Sequence, residues 1–77
     1  MMNLGKEVAA IIHERIGVEE SKIVPEASFE DLGLDSLDAV EIFMSVEDKW
    51  DIEITDEMAG TWRSVQDIIT DVEKLLE

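Results

Sequence analysis

Apolar residues recur three and four positions apart over most of the chain, and the runs in which they do so predict helices. Leu4, Val8, Ile11 and Ile12, with Ile16 after them, share one face of a segment covering about residues 3–15, and Asn3 suits its N-cap. A second periodic run covers residues 36–50. Near the C-terminal end, Ser64 followed by Asp67 has the spacing of a capping box. Val65, Ile68, Ile69, Val72, Leu75 and Leu76 form an apolar stripe behind it. Between these two runs, Ile52 and Ile54 lead into a weak helical turn near residues 56–59 that Gly60 ends. Residues 17–35 carry Val18, Ile23, Val24, Phe29, Leu32 and Leu34 without a sustained period, which predicts a long loop pinned by scattered apolar anchors. Such loops are uncommon in compact domains and are often functional. No alternating run predicts a strand, so the expected fold is all-α, a small helical bundle. No linker, repeat or low-complexity tract divides the chain, and residues 1–77 are expected to form one domain.

The second helix presents two faces. Advancing about 100° per residue from Ser36 brings Ala39, Phe43, Val46 and Trp50 into one sector, with Ile42 on its flank, and this is the expected core face. Leu37, Val40 and Met44 fall in another sector about 120° away, interleaved with Glu41, Glu47, Asp48 and Asp51. Carboxylates are almost never buried unpaired, so an apolar strip set among them has the chemistry of a docking surface. Aliphatic and thioether groups offer adaptable contact, and the acids attract and orient basic residues of a partner. The competing reading is a helix wedged between neighbours that buries both sectors.

Charge sharpens this picture. Twenty acidic residues oppose six basic ones, a formal charge of −14 that disfavours nucleic acid and anionic lipid and favours partners with basic surfaces. From Asp35 to Glu57 the acids number nine and Lys49 is the lone base, so the charge is concentrated around the second helix. Seventy-seven residues build one thin core and leave little material for a secluded active site, so no enzyme is expected. Without cysteine there is neither a disulfide framework nor a thiolate site. With no basic-then-apolar leader and no apolar run of bilayer length, a cytoplasmic soluble protein that does not insert into membranes is expected, and it is expected to be a monomer.

The candidate chemistry lies in the stretch Asp31-Leu32-Gly33-Leu34-Asp35-Ser36-Leu37-Asp38, which delivers a serine hydroxyl to the first turn of the second helix. An anionic group attached there would meet the positive end of the helix dipole. These residues, followed by Val40-Glu41, resemble the attachment motif of acyl carrier proteins. The likeness continues in order through Glu47-Asp48, Trp50, Ile52-Glu53-Ile54, Asp56-Glu57 and Ser64-Val65-Gln66-Asp67-Ile68, nearly the whole chain. It implies a bundle of three main helices plus a short one. Ser36 takes the position that carries covalent 4′-phosphopantetheine from coenzyme A. Asp35 would help a phosphopantetheinyl transferase hold Mg²⁺, a hard ion suited to oxygen ligands, while catalysis stays with that enzyme.

The resemblance further implies acyl chains as thioester-bound cargo, presented to fatty acid biosynthesis or related enzymes. Leu37, Asp38, Val40, Glu41, Met44, Glu47 and Asp48 are the expected docking residues for basic patches on such partners. Phe43, Val46, Ile54, Met58, Trp62 and Ile68, with core-type spacing beside the Ser36 helix, are the expected walls of a shelter for the chain. The competing reading makes them ordinary core. Two substitutions depart from the common pattern: Trp50 stands where phenylalanine is usual, and Trp62 where a smaller aliphatic residue is usual. In addition, Glu30 and Asp31 alone separate Phe29 from Leu32, so the loop before Ser36 must close tightly.

Other functions fit less well. A serine hydrolase of the Gly-Asp-Ser-Leu type would need Asp-Ser directly after glycine and a downstream histidine, but Leu34 intervenes and His13 lies upstream. His13 has no second histidine or cysteine for a metal site, and the acids lack the order of an EF-hand loop, so no specific metal site is expected. Two alternatives remain: a carrier dedicated to polyketide, aminoacyl or D-alanyl cargo, and an acidic interaction module with no prosthetic group.

Overall fold

A computed structural model describes residues 3–76. The chain forms α1 (Leu4–Ile16), a 3-10 turn (Glu20–Lys22), α2 (Ser36–Trp50), α3 (Asp56–Gly60) and α4 (Val65–Leu76), with no strands among the described residues. The fold is an all-α bundle of three long helices and a short one.

Each α-helix starts on a side chain that accepts from one of its free N–H groups, at α4 Ser64 Oγ from the Asp67 N–H (3.4 Å). Asn3 Oδ1 accepts from the Lys6 N–H (3.1 Å) and Thr55 Oγ1 from the Met58 N–H (3.1 Å). Ahead of α4, Asp67 Oδ2 accepts from the N–H groups of Ser64 (3.1 Å) and Arg63 (2.8 Å). Aspartate, though shorter than the glutamate of a usual capping box, therefore closes this one. Helix ends follow the same economy. α1 stops at Gly17, whose φ of 85° is the left-handed conformation that releases a helix, and its N–H returns to the His13 carbonyl.

The core is built from α1, α2 and α4, with α1 packed against both of the others. Val8 and Ile12 of α1, Ile42 and Val46 of α2, and Val65, Ile68 and Val72 of α4 are fully buried. On α2 the buried line runs through Ile42 and Val46, while Ala39, Phe43 and Trp50 are only half-buried. The fully buried line is thus offset by about 50° from the centre of the sector of Ala39, Phe43, Val46 and Trp50, whose half-buried members still pack against the core. Ala39 and Phe43 pack against the core on one side and line a cleft on the other, which leaves them only half-buried. Leu75 and Leu76 continue the stripe of α4 in sequence but are exposed.

The long first connection is ordered by its anchors. Ile23, Ala27, Phe29 and Leu34 are buried, whereas Val24, expected among them, is exposed. The loop is also laced to the approach to α4: the Phe29 N–H donates to the Arg63 carbonyl (2.8 Å), Val65 N–H to Ala27 (3.1 Å) and Gln66 N–H to Pro25 (3.0 Å), around an isolated antiparallel bridge between Ser28 and Ser64. Sequence periodicity has no signature for such pairing, because it joins segments more than 30 residues apart.

Charge is left largely uncompensated. Among the described residues one salt bridge forms, Lys49 Nζ to Glu7 Oε2 at 2.7 Å, joining α2 to α1 at the surface. Self-repulsion should therefore lower stability at low ionic strength, and about 0.1 M salt, with a screening length near 10 Å, should restore part of it. Thermal melts by circular dichroism across a salt series check this. A midpoint indifferent to NaCl, Mg²⁺ and Ca²⁺ would contradict it.

Candidate functional site

Ser36 is the first residue of α2 and is exposed. Its neighbours do the capping. The Asp38 N–H donates to Asp35 Oδ1 (3.0 Å), and the Asp35 N–H donates to Asp38 Oδ2 (3.1 Å), a reciprocal box. The Ser36 hydroxyl takes part in no hydrogen bond among the described residues. Asp35 being the cap, the serine oxygen is left for other chemistry. Asp35→Ala should cost about 1 kcal/mol of stability through loss of the cap. Urea titration checks the value, and a midpoint equal to that of the parent would mean that the box contributes nothing.

The turn leading to Ser36 is held from both sides. Ser28 Oγ accepts from the Asp31 N–H (3.0 Å), and Asp31 Oδ2 accepts from the Ser28 N–H (3.3 Å). The Leu34 N–H then reaches back to the Phe29 carbonyl (2.9 Å). Gly33 has φ 71°, a conformation that costs a side-chain-bearing residue energy, and this lets so short a loop reverse before the helix. With Phe29 and Leu34 buried beneath it, the serine is presented on a fixed base.

Ser36 and Asp35 lie on the rim of a cleft of about 590 Å³ between α2, α3 and the first connection. Phe29, Leu34, Ala39, Val40, Phe43, Ala59 and Trp62 supply its apolar walls, and Glu30, Asp56 and Arg63 are polar members of its lining. That volume is in the range of small-molecule sites. Of the residues expected to enclose cargo, Phe43 and Trp62 are in the lining. Val46, Ile54 and Ile68 are buried in the core and Met58 is half-buried, and none of these four lines the cleft. Small residues at Ala39, Ala59 and Gly60 line the space instead. Their signal in the sequence is slight, since a small residue on a helix reads equally as close packing. Arg63 Nη1 donates to the carbonyls of Gly60 (2.9 Å) and Trp62 (3.2 Å), bracing the segment after α3.

Along the outer face of α2, Leu37, Val40 and Met44 are 75%, 44% and 55% exposed, in a field of exposed Glu41 and Asp48 with half-buried Asp38. Glu47 differs from these acids. It is half-buried, and its Oε2 accepts from the Ile54 N–H (2.8 Å), so it fastens the α2–α3 connection. His13, exposed, sits with Nδ1 2.8 Å from the Val18 carbonyl and steadies the end of α1. Among the described residues no group of three or more His, Asp or Glu is arranged to hold a metal ion, and no helix is long and apolar enough to cross a membrane.

Comparison with known proteins matches residues 6–72 to a family model described as the phosphopantetheine attachment site. Among solved structures, an acyl carrier protein from Thermotoga maritima superposes with a TM-score of 0.82 at 33% identity, over 91% of this chain and 82% of that one. The chain belongs to the acyl carrier protein family. Its prosthetic group is 4′-phosphopantetheine and its role is that of an acyl carrier. The site's own chemistry fits that group. An unbonded hydroxyl at a helix N-terminus suits a phosphodiester, the dipole favouring its charge. An apolar cleft opening beside it suits an aliphatic chain, which gains free energy on leaving water.

Proposed function

We propose that Ser36 is the tether, and that this carrier presents acyl thioesters to the enzymes of fatty acid biosynthesis or a related acyl-transfer pathway while catalysing nothing itself. The observation that carries this reading is the Ser36 hydroxyl, exposed, free of capping duty and on the rim of the cleft. During loading, Ser36 Oγ gives up its proton to the transferase and bonds to the pantetheine-bearing phosphorus of coenzyme A, as the pyrophosphate P–O bond breaks and adenosine 3′,5′-bisphosphate leaves. Asp35 stands beside the hydroxyl, and the oxygen that does not cap α2 is available to Mg²⁺ in the transferase complex.

Leu37, Val40 and Met44, with Asp38, Glu41 and Asp48, form the face that meets basic patches on the transferase and the acyl-processing enzymes; Glu47, occupied internally, contributes its charge more than its contacts. The cleft shelters cargo between encounters, with Phe43 and Trp62 among its walls. Residues 1–77 act as one domain, and the carrier works as a cytoplasmic monomer. The match to a phosphopantetheine attachment family favours this reading over an interaction module without a prosthetic group.

Intact mass after incubation with a phosphopantetheinyl transferase, Mg²⁺ and coenzyme A tests the proposal. One phosphopantetheine should be gained, mapping to Ser36. A protein whose mass stays unchanged, or whose modification maps elsewhere, would refute it.

A further inference from the structure

The cleft stops short of the middle of the bundle. Along α2 its lining reaches Phe43, but Val46, one turn further and wholly buried, takes no part in it. Ile68, which faces the same core from α4, takes none either. Trp62 does line the cleft, and at 2% exposed it also belongs to the packed interior. The residue is held at its ring and at its backbone: Nε1–H donates to Asp71 Oδ2 of α4 at 2.7 Å, and the main-chain N–H donates to the Ala59 carbonyl at 3.2 Å. Asp71 is half-buried, so moving the indole aside would leave a partly desolvated carboxylate and a buried N–H each without its partner. A hydrogen bond to an ionised acceptor is among the stronger ones available to a side chain.

We propose that Trp62, latched by Asp71, sets the longest acyl group the cleft can shelter, with Asp71 as a positioning residue that acts through the indole. The proposal rests on Ser36 being the tether. A chain growing from that rim fills the apolar space beside Ala39 and Phe43 and then meets the indole. Further methylene groups must stay in solvent or break the latch. The limit on cargo is then a property of one hydrogen-bonded pair rather than of the bundle as a whole.

The test loads the full chain at Ser36 from a series of straight-chain acyl-coenzyme A esters, butanoyl to hexadecanoyl in two-carbon steps, and measures the melting temperature of each product. A sheltered chain stabilises the folded state alone, so the melting temperature climbs with chain length until the shelter is full and then levels off. In Trp62→Leu and in Asp71→Leu the levelling point should move at least one step toward longer chains. Asp71→Asn keeps an oxygen that can accept from the indole and should level off where the parent does. If the latch only supports the fold, Asp71→Leu lowers every melting temperature and the levelling point stays in place, which overturns the proposal. Should Trp62→Leu fail to fold, the comparison of Asp71→Leu with Asp71→Asn decides alone. Intact mass separates the two levels of failure: no mass gain removes the Ser36 tether, whereas normal loading with an unmoved levelling point removes the Trp62 assignment only.

Discussion

Ser36→Ala is expected to remain folded and to lose loading altogether. The two halves of this outcome have separate causes. Stability is spared because the hydroxyl makes no hydrogen bond among the described residues and α2 is capped by Asp35 and Asp38. An exposed substitution without such duties changes stability by about 0.5 kcal/mol or less, and alanine is the better helix former. Loading is lost because no other serine offers the same situation. Ser45 Oγ donates to the Glu41 carbonyl (3.0 Å), Ser28 Oγ and Ser64 Oγ accept from backbone N–H groups, and Ser21 lies in the 3-10 turn and does not line the cleft. Circular dichroism with intact mass reads both halves in one preparation. A variant that folds and still gains the full prosthetic mass would mean that the tether lies elsewhere.

Ile42→Ala should have the largest effect on stability. Ile42 is fully buried at the centre of the α2 core face, and truncating such a side chain typically costs about 2–5 kcal/mol because the cavity closes only in part. Small domains hold only about 5–15 kcal/mol in total, and one of this size, with 20 acids against 6 bases repelling one another, belongs near the lower end. The variant should be substantially unfolded at low ionic strength and regain helicity as salt screens the acids. Leu37→Ala, on the same helix at 75% exposure, is the control and should melt close to the parent. If the two variants melt alike, the assignment of α2 faces is wrong.

The contrast between these residues also shows how much could be read in advance. The limits of α2 and the division of its surface were legible because helical period and charge act locally: Leu37, Val40 and Met44 are apolar among acids, and they stay exposed. The finer orientation was not legible. Ala39, Phe43, Val46 and Ile42 share one side of the helix, and which of them also opens on the cleft depends on where α3 lies. Likewise Glu47 was indistinguishable from Asp48 until its carboxylate met the Ile54 N–H, seven residues on. The same holds for the shelter, where core-type spacing selects Val46, Ile54 and Ile68 as readily as Phe43 and Trp62.

The four α-helices, the capping residues at Asn3 and Ser64, the serine at the head of α2 and the acid around it are all written locally in the chain, because propensity, capping and periodicity act over one to four residues; the 3-10 turn at Glu20–Lys22, inside the expected loop, is not. Which side of α2 opens on a cleft, how residues 25–29 are laced to the approach to α4 and the hold of Asp71 on Trp62 come from the packing of the bundle. Each of these joins groups on separate elements, and such contacts follow from how the bundle closes rather than from any local spacing.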